Sequence, residues 1–263
     1  MIRARAAALA AAALVVTASG AARAETRPRF EPTDLAIEPP GVLEADLQLG
    51  AIHGDGAGRS RLLVPDFELD LGLTDRVEID LDGTLTVDDF ADRDRRRLGG
   101  EPLWAAVKLA LLDQHVGGQP DGARDRGFGL GLQLGPRLPG TSRTHGVGYQ
   151  SLALLGATWG SAKLALNAGG MVDTGAQVGR PRPVAATVGL DLAYDLSRRL
   201  TVLGELGAAI YASDDPNDFS GSLGIQWATS DALRLSAVLV GGLLPGGDRV
   251  GLLLGITPKL SLF

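Results

Sequence analysis

The sequence predicts an all-β chain: an antiparallel transmembrane β-barrel of about 12 strands. Three observations predict it. Apolar and polar residues alternate with a period of two over twelve segments, the connections between them alternate between short and long, and aromatic residues gather at segment ends. A period of two sends successive side chains to opposite faces of a strand, so each segment has one oily and one polar face.

The chain opens on an export pattern. Arg3 and Arg5 precede the apolar run AAALAAAALVV (Ala6 to Val16), and Ala22-Arg23-Ala24 supplies a small-residue cleavage site. The run is shorter than the roughly 18 residues of a membrane-spanning helix. Residues 1–24 therefore read as a cleaved signal peptide, 25–41 as a periplasmic N-terminal segment and 42–263 as an outer-membrane barrel.

Composition supports that order. The sequence is 45% apolar with 5% aromatic residues, 37 glycines and no cysteine, so neither disulfides nor thiolate metal sites can support it. Removing three signal-peptide arginines and no acids takes the formal charge from −6 to −9, which argues against a nucleic-acid partner.

The twelve segments are 42–52, 63–73, 77–87, 103–113, 128–136, 147–159, 162–173, 183–195, 200–211, 219–228, 233–243 and 249–260. Most run 9 to 13 residues, matching tilted strands that cross a bilayer. TDR, GS, SRR and TSDA form one set of connections, and longer loops such as DDFADRDRRRLGGEP and RLPGTSRTHG form the other. An even strand count with short turns at one end places both termini in the periplasm. The connection Asp113–Gly127 departs from the pattern, being long where a short turn is expected.

Aromatic placement gives an interfacial girdle. Phe128, Trp159, Tyr194 and Trp227 fall at the short-turn end, and Tyr149 and Phe219 at the long-loop end. The sixth segment is irregular, because Leu152 and Leu154 lie on the opposite phase from Tyr149 and Trp159. A soluble β-sandwich or lipocalin-like barrel would also alternate, but its core would have to pack Ala45, Gly83, Ala168 and Gly170, which lipid tolerates. GFGLGLQLG (Gly127 to Gly135) carries glycine at alternate strand positions with no helix after it, so it reads as a lumen-facing row rather than a phosphate loop.

EPPGVLEADLQLG (Glu38 to Gly50), VPDFELDLGLTDRVEIDL (Val64 to Leu81) and LWAAVKLALLDQ (Leu103 to Gln114) resemble the opening strands of the outer-membrane barrel family named for the meta-pathway of phenol degradation. The resemblance covers roughly residues 36 to 114 and implies a transporter or channel for aromatic or other hydrophobic compounds. It brings no binding residue with it.

With the apolar phase toward lipid, the first three strands line the lumen with Glu44, Asp46, Glu68, Asp70, Glu78, Asp80 and Asp82. Pairing Leu73 with Val77 through the TDR turn sets Asp70 opposite Asp80 and Glu68 opposite Asp82, where like charges repel. Water, bound cations, protonation or basic side chains must offset that repulsion. Lys108, Lys163 and Arg234 share the lumen phase, and Arg93, Arg95, Arg96 and Arg97 lie in the loop after the third strand. That loop either folds inward onto the acidic wall or stays in water against lipopolysaccharide phosphates.

The expected function is an outer-membrane, porin-like channel or transporter for a small-molecule solute, with cation preference from the acidic wall. Outer-membrane lipid and lipopolysaccharide are the other expected partners. A closed structural or adhesive barrel is the alternative, and an outer-membrane hydrolase a more distant one. His53, His115 and His145 all fall in loops or turns, and Ser142 near His145 does not make a triad. No H-E-x-x-H or other metal-ligand spacing occurs, so no catalytic residue, metal or cofactor is assigned. Oligomeric state is not legible.

Overall fold

The computed structural model describes residues 35–53, 60–90, 96–113, 126–140, 145–175, 182–212, 217–242, 244 and 250–263. Thirteen strands fall within them: β1 (Val42–His53), β2 (Ser60–Thr74), β3 (Val77–Asp88), β4 (Arg97–Gly100), β5 (Leu103–Asp113), β6 (Arg126–Leu138), β7 (Gly148–Trp159), β8 (Ala162–Val172), β9 (Val184–Asp195), β10 (Leu200–Tyr211), β11 (Asp218–Ser230), β12 (Leu233–Gly242) and β13 (Val250–Ser261). All but β4 are staves of one closed antiparallel barrel of 12 strands, closed by the pairing of β1 with β13. No helix occurs among the described residues.

The twelve staves begin and end within a few residues of the expected segments, because period-two alternation is a local signal that closure does not alter. β4 is the addition. β5 pairs with β3 only along Val77–Asp82, so the far end of β3 would be an open edge. Arg97–Gly100 folds back and pairs with Leu85–Asp88, supplying partners to those backbone groups. The loop after the third stave is therefore partly strand. The predicted long connection after Asp113 falls largely outside the described residues.

Side chains are distributed in reverse of a water-soluble protein. Leu132, Leu166, Leu206, Leu223, Leu239 and Leu254 stand exposed on the outer wall, whereas Glu78, Asp80, Gln133, Thr158, Asn167 and Thr257 are buried inside. Soluble folds bury the first kind and expose the second. Phe128, Trp159, Tyr194 and Trp227 are about half-exposed at the short-turn rim, and Tyr149 at the other. Phe219, on the outer phase of β11, is partly covered.

The irregular sixth segment, β7, is resolved by the interior. Leu152 and Leu154 turn into the lumen and cluster with Trp104, Ala106 and Leu35. Leu35 belongs to the stretch before β1, so the described part of that N-terminal stretch enters the barrel from the short-turn end. Gly131 leaves room for it: a Cβ there would come within 2.7 Å of Leu35 Cδ2. Gly131, one of the alternating glycines of β6, thus permits close approach inside a crowded lumen.

Candidate functional site: the lumen

The site is built from two hairpins and the segment that crosses them. β2 and β3 carry Glu68, Asp70, Glu78, Asp80 and Asp82 on the inward phase, and the ladder sets Asp70 opposite Asp80 and Glu68 opposite Asp82. The turn differs in detail from the expectation. A bulge makes Thr74, not Leu73, the partner of Val77, and leaves the register of the carboxylates unchanged.

The acidic wall is met by side chains of β5 and β6. Lys108 Nζ lies 2.8 Å from Glu78 Oε1 with both side chains buried. Gln133 donates from Nε2 to Asp80 Oδ2 at 2.6 Å. Glu78 also accepts the backbone N–H of Glu38. Asp46 accepts from Thr257 at 3.4 Å, and Asp66 accepts from Thr84.

A second ionic group anchors the N-terminal segment. Lys259 Nζ lies 2.6 Å from Glu38 Oε1 and also contacts Glu44, with Arg234 Nη1 3.8 Å from Glu44 Oε2. Burial raises the Glu38 carboxyl above its usual 4.5, although Lys259 acts in the opposite direction. A Cβ on Gly72 would strike the carbonyl oxygens of Glu38 and Pro39, so β2 needs glycine where the segment passes over it. Toward the loop end, Arg61 pairs with Glu101 at 3.1 Å and Arg137 with Asp173 at 2.9 Å, and Arg137 also donates to Gln150 at 2.5 Å.

All seven acidic residues expected on the wall sit on inward strand positions, with Glu78 and Asp80 the most buried. Of the basic residues expected inside, Lys108 reaches the wall, Arg234 joins the Glu44 group, and Lys163 lies 3.9 Å from Asp195. Arg96 donates to the Phe90 carbonyl and Arg97 is exposed on β4, while Arg93 and Arg95 lie outside the described residues.

Sequence reasoning missed Arg61, Arg137 and Lys259. Arg61 and Arg137 lie just beyond the expected strand limits. Lys259 shares its phase with Leu253, an inward leucine that reads as lipid-facing. Trp104, on the phase of Lys108, was the legible clue that a large side chain fills the lumen. The catalytic alternative gains no triad among the described residues. His53 Nδ1 lies 2.8 Å from Ser60 Oγ at an exposed rim and His145 bridges Gly175, while Ser142 and His115 fall outside the described residues.

No protein-family profile matches the chain, and no curated protein matches it in sequence. Solved structures do. The KdgM porin is similar at a TM-score of 0.51 and 12% identity, covering 82% of this chain and 98% of that chain. The translocator domain of the autotransporter NalP from Neisseria meningitidis has a TM-score of 0.46 and 10% identity, covering 86% of this chain and 91% of its own. Outer membrane phospholipase A from Escherichia coli has a TM-score of 0.45 and 9% identity, covering 89% and 96%. Of these three, the first exceeds 0.5, and at its low identity it shows a shared fold. The chain has the closed antiparallel barrel fold of an outer-membrane porin.

Proposed function

We propose that the chain is an outer-membrane channel or transporter that passes small solutes through an acidic-walled lumen. At rest, residues 35–41 close that lumen at its short-turn end. The observation that carries this reading is the inverted side-chain distribution: an aliphatic outer wall around an interior of ion pairs. Hydrocarbon stabilises the first, and an aqueous or partnered interior stabilises the second. Excess carboxylate along β1 to β3 favours cations. The proposal includes a cleaved signal over residues 1–24, a barrel over 42–263, residence in the outer membrane and lipopolysaccharide around the long loops.

The resemblance over residues 36 to 114 extends the proposal to aromatic or other hydrophobic cargo. Apolar patches on the inner wall support it: Ile52, Leu63, Val240 and Leu253 form one, and Met171, Ala185, Ala209 and Tyr211 another. A closed structural barrel is the second reading. It is favoured by the near-complete burial of Asp80, Asn167, Gln133, Leu152 and Leu154 at the centre of the interior.

Single-channel recording in planar bilayers under a KCl gradient separates the two. A channel gives discrete steps with a cation-selective reversal potential. Absence of steps both in the wild-type chain and in a chain lacking residues 35–41 would leave the scaffold.

A further inference from the structure

We propose that Asp70, Glu78 and Asp80 form a binding site for a hard divalent cation, of the calcium class, in the lumen wall between β2 and β3. One carboxylate oxygen from each residue lies within 4.8 Å of the others. Two oxygens bound to one calcium at about 2.3–2.6 Å can stand up to roughly 5 Å apart, so the three can share an ion.

A second observation points to a ligand there. Asp80 is fully buried, and its Oδ1 has no hydrogen-bond partner even though Oδ2 is held by Gln133. Asp70, directly across the ladder, presents a buried Oδ1 in the same condition. Two orphaned carboxylate oxygens on facing residues are costly, and a cation placed between them removes the cost.

Charge agrees with a divalent ion. Three carboxylates meet one ammonium, Lys108, which leaves two negative charges for the ion to neutralise. The ligand set is all oxygen, which suits calcium or magnesium and disfavours softer metals. Rigidity comes from the neighbours: Lys108 and the Glu38 N–H hold Glu78, and Gln133 holds Asp80. The ion would therefore sit beneath the N-terminal segment and brace the wall on which it rests.

The test is calorimetric titration of CaCl2, and separately MgCl2, into the full chain refolded in detergent without lipopolysaccharide and freed of metal with EDTA. Heat-dependent gel mobility checks that each variant is folded. Saturable one-to-one calcium binding is expected, weakened roughly tenfold or more by Asp80→Asn and by Asp70→Asn, since affinity follows ligand charge. Lys108→Met should fold and bind calcium roughly tenfold more tightly, because it removes a cation beside the site. Lack of saturable binding of either ion up to millimolar concentration would overturn the proposal. So would binding unchanged in folded Asp70→Asn and Asp80→Asn chains, which would assign the heat to other carboxylates.

Discussion

Leu35 is the residue through which the closed lumen is best tested. Its side chain is 6% exposed and packs among Trp104, Leu152 and Leu154, contacts that exist only while the segment is seated. Truncation to Ala removes roughly 2–3 kcal/mol of apolar burial and packing from the seated state and almost nothing from the displaced one. That corresponds to a shift of about 30- to 150-fold toward the displaced state, at tenfold per 1.4 kcal/mol. Planar-bilayer recording of L35A should show open probability rising by that order, with unit conductance preserved. Leu35→Met, which keeps the apolar volume, should remain close to wild type. Equal open probability in L35A, Leu35→Asp and the wild-type chain would refute the idea that this segment gates the lumen.

Three other expectations follow from the same geometry. Burial raises the Glu38 carboxyl above 4.5 in the seated segment, so seating takes up a proton; it is strongest at and below pH 4.5 and weakens as pH rises through the raised value. Open probability should therefore fall on acidification, and the difference between wild-type and Glu38→Gln pH profiles should isolate that component. Lys108→Met measured in EDTA leaves Glu78 buried without its ammonium partner and should cost about 3–5 kcal/mol, read as a lower urea midpoint of unfolding from liposomes. Leu254→Arg, on the exposed outer face near the middle of β13, should lose about 2–4 kcal/mol in the same assay, whereas a water-exposed leucine would tolerate the change.

Much of the wall was legible because its signals are local. Alternation along Phe67–Leu73 and Val77–Leu81 identifies strands and their two faces, and a tight turn between them fixes the register, so Asp70 falls opposite Asp80 from sequence alone. The bulge at Thr74 changes the turn and not the carboxylates. Lys108 was legible for the same reason: it shares the polar phase of its strand.

The partners of the wall were less legible. Gln133 reaches Asp80 across 53 residues of chain, and Lys259 reaches Glu38 across 221. Periodicity within a strand records neither contact: the first depends on β5 lying between β3 and β6, and the second on closure of the ring by β1 and β13. Phase also misled where the lumen is apolar: Leu152, Leu154 and Leu253 resemble lipid-facing leucines, because burial in a packed interior and contact with hydrocarbon select the same side chains.

The sequence by itself determined the twelve staves, their order, their two faces and the acidic character of one wall, since each is encoded within a strand or across one turn. Tertiary structure alone decided that residues 35–41 enter the lumen, that Gln133 joins Lys108 against the carboxylates while Arg97 stays exposed on β4, and that Glu78 converges with the facing pair Asp70 and Asp80. Those outcomes depend on which strands pair side by side and on how much room the barrel leaves inside, and neither is written within a single strand.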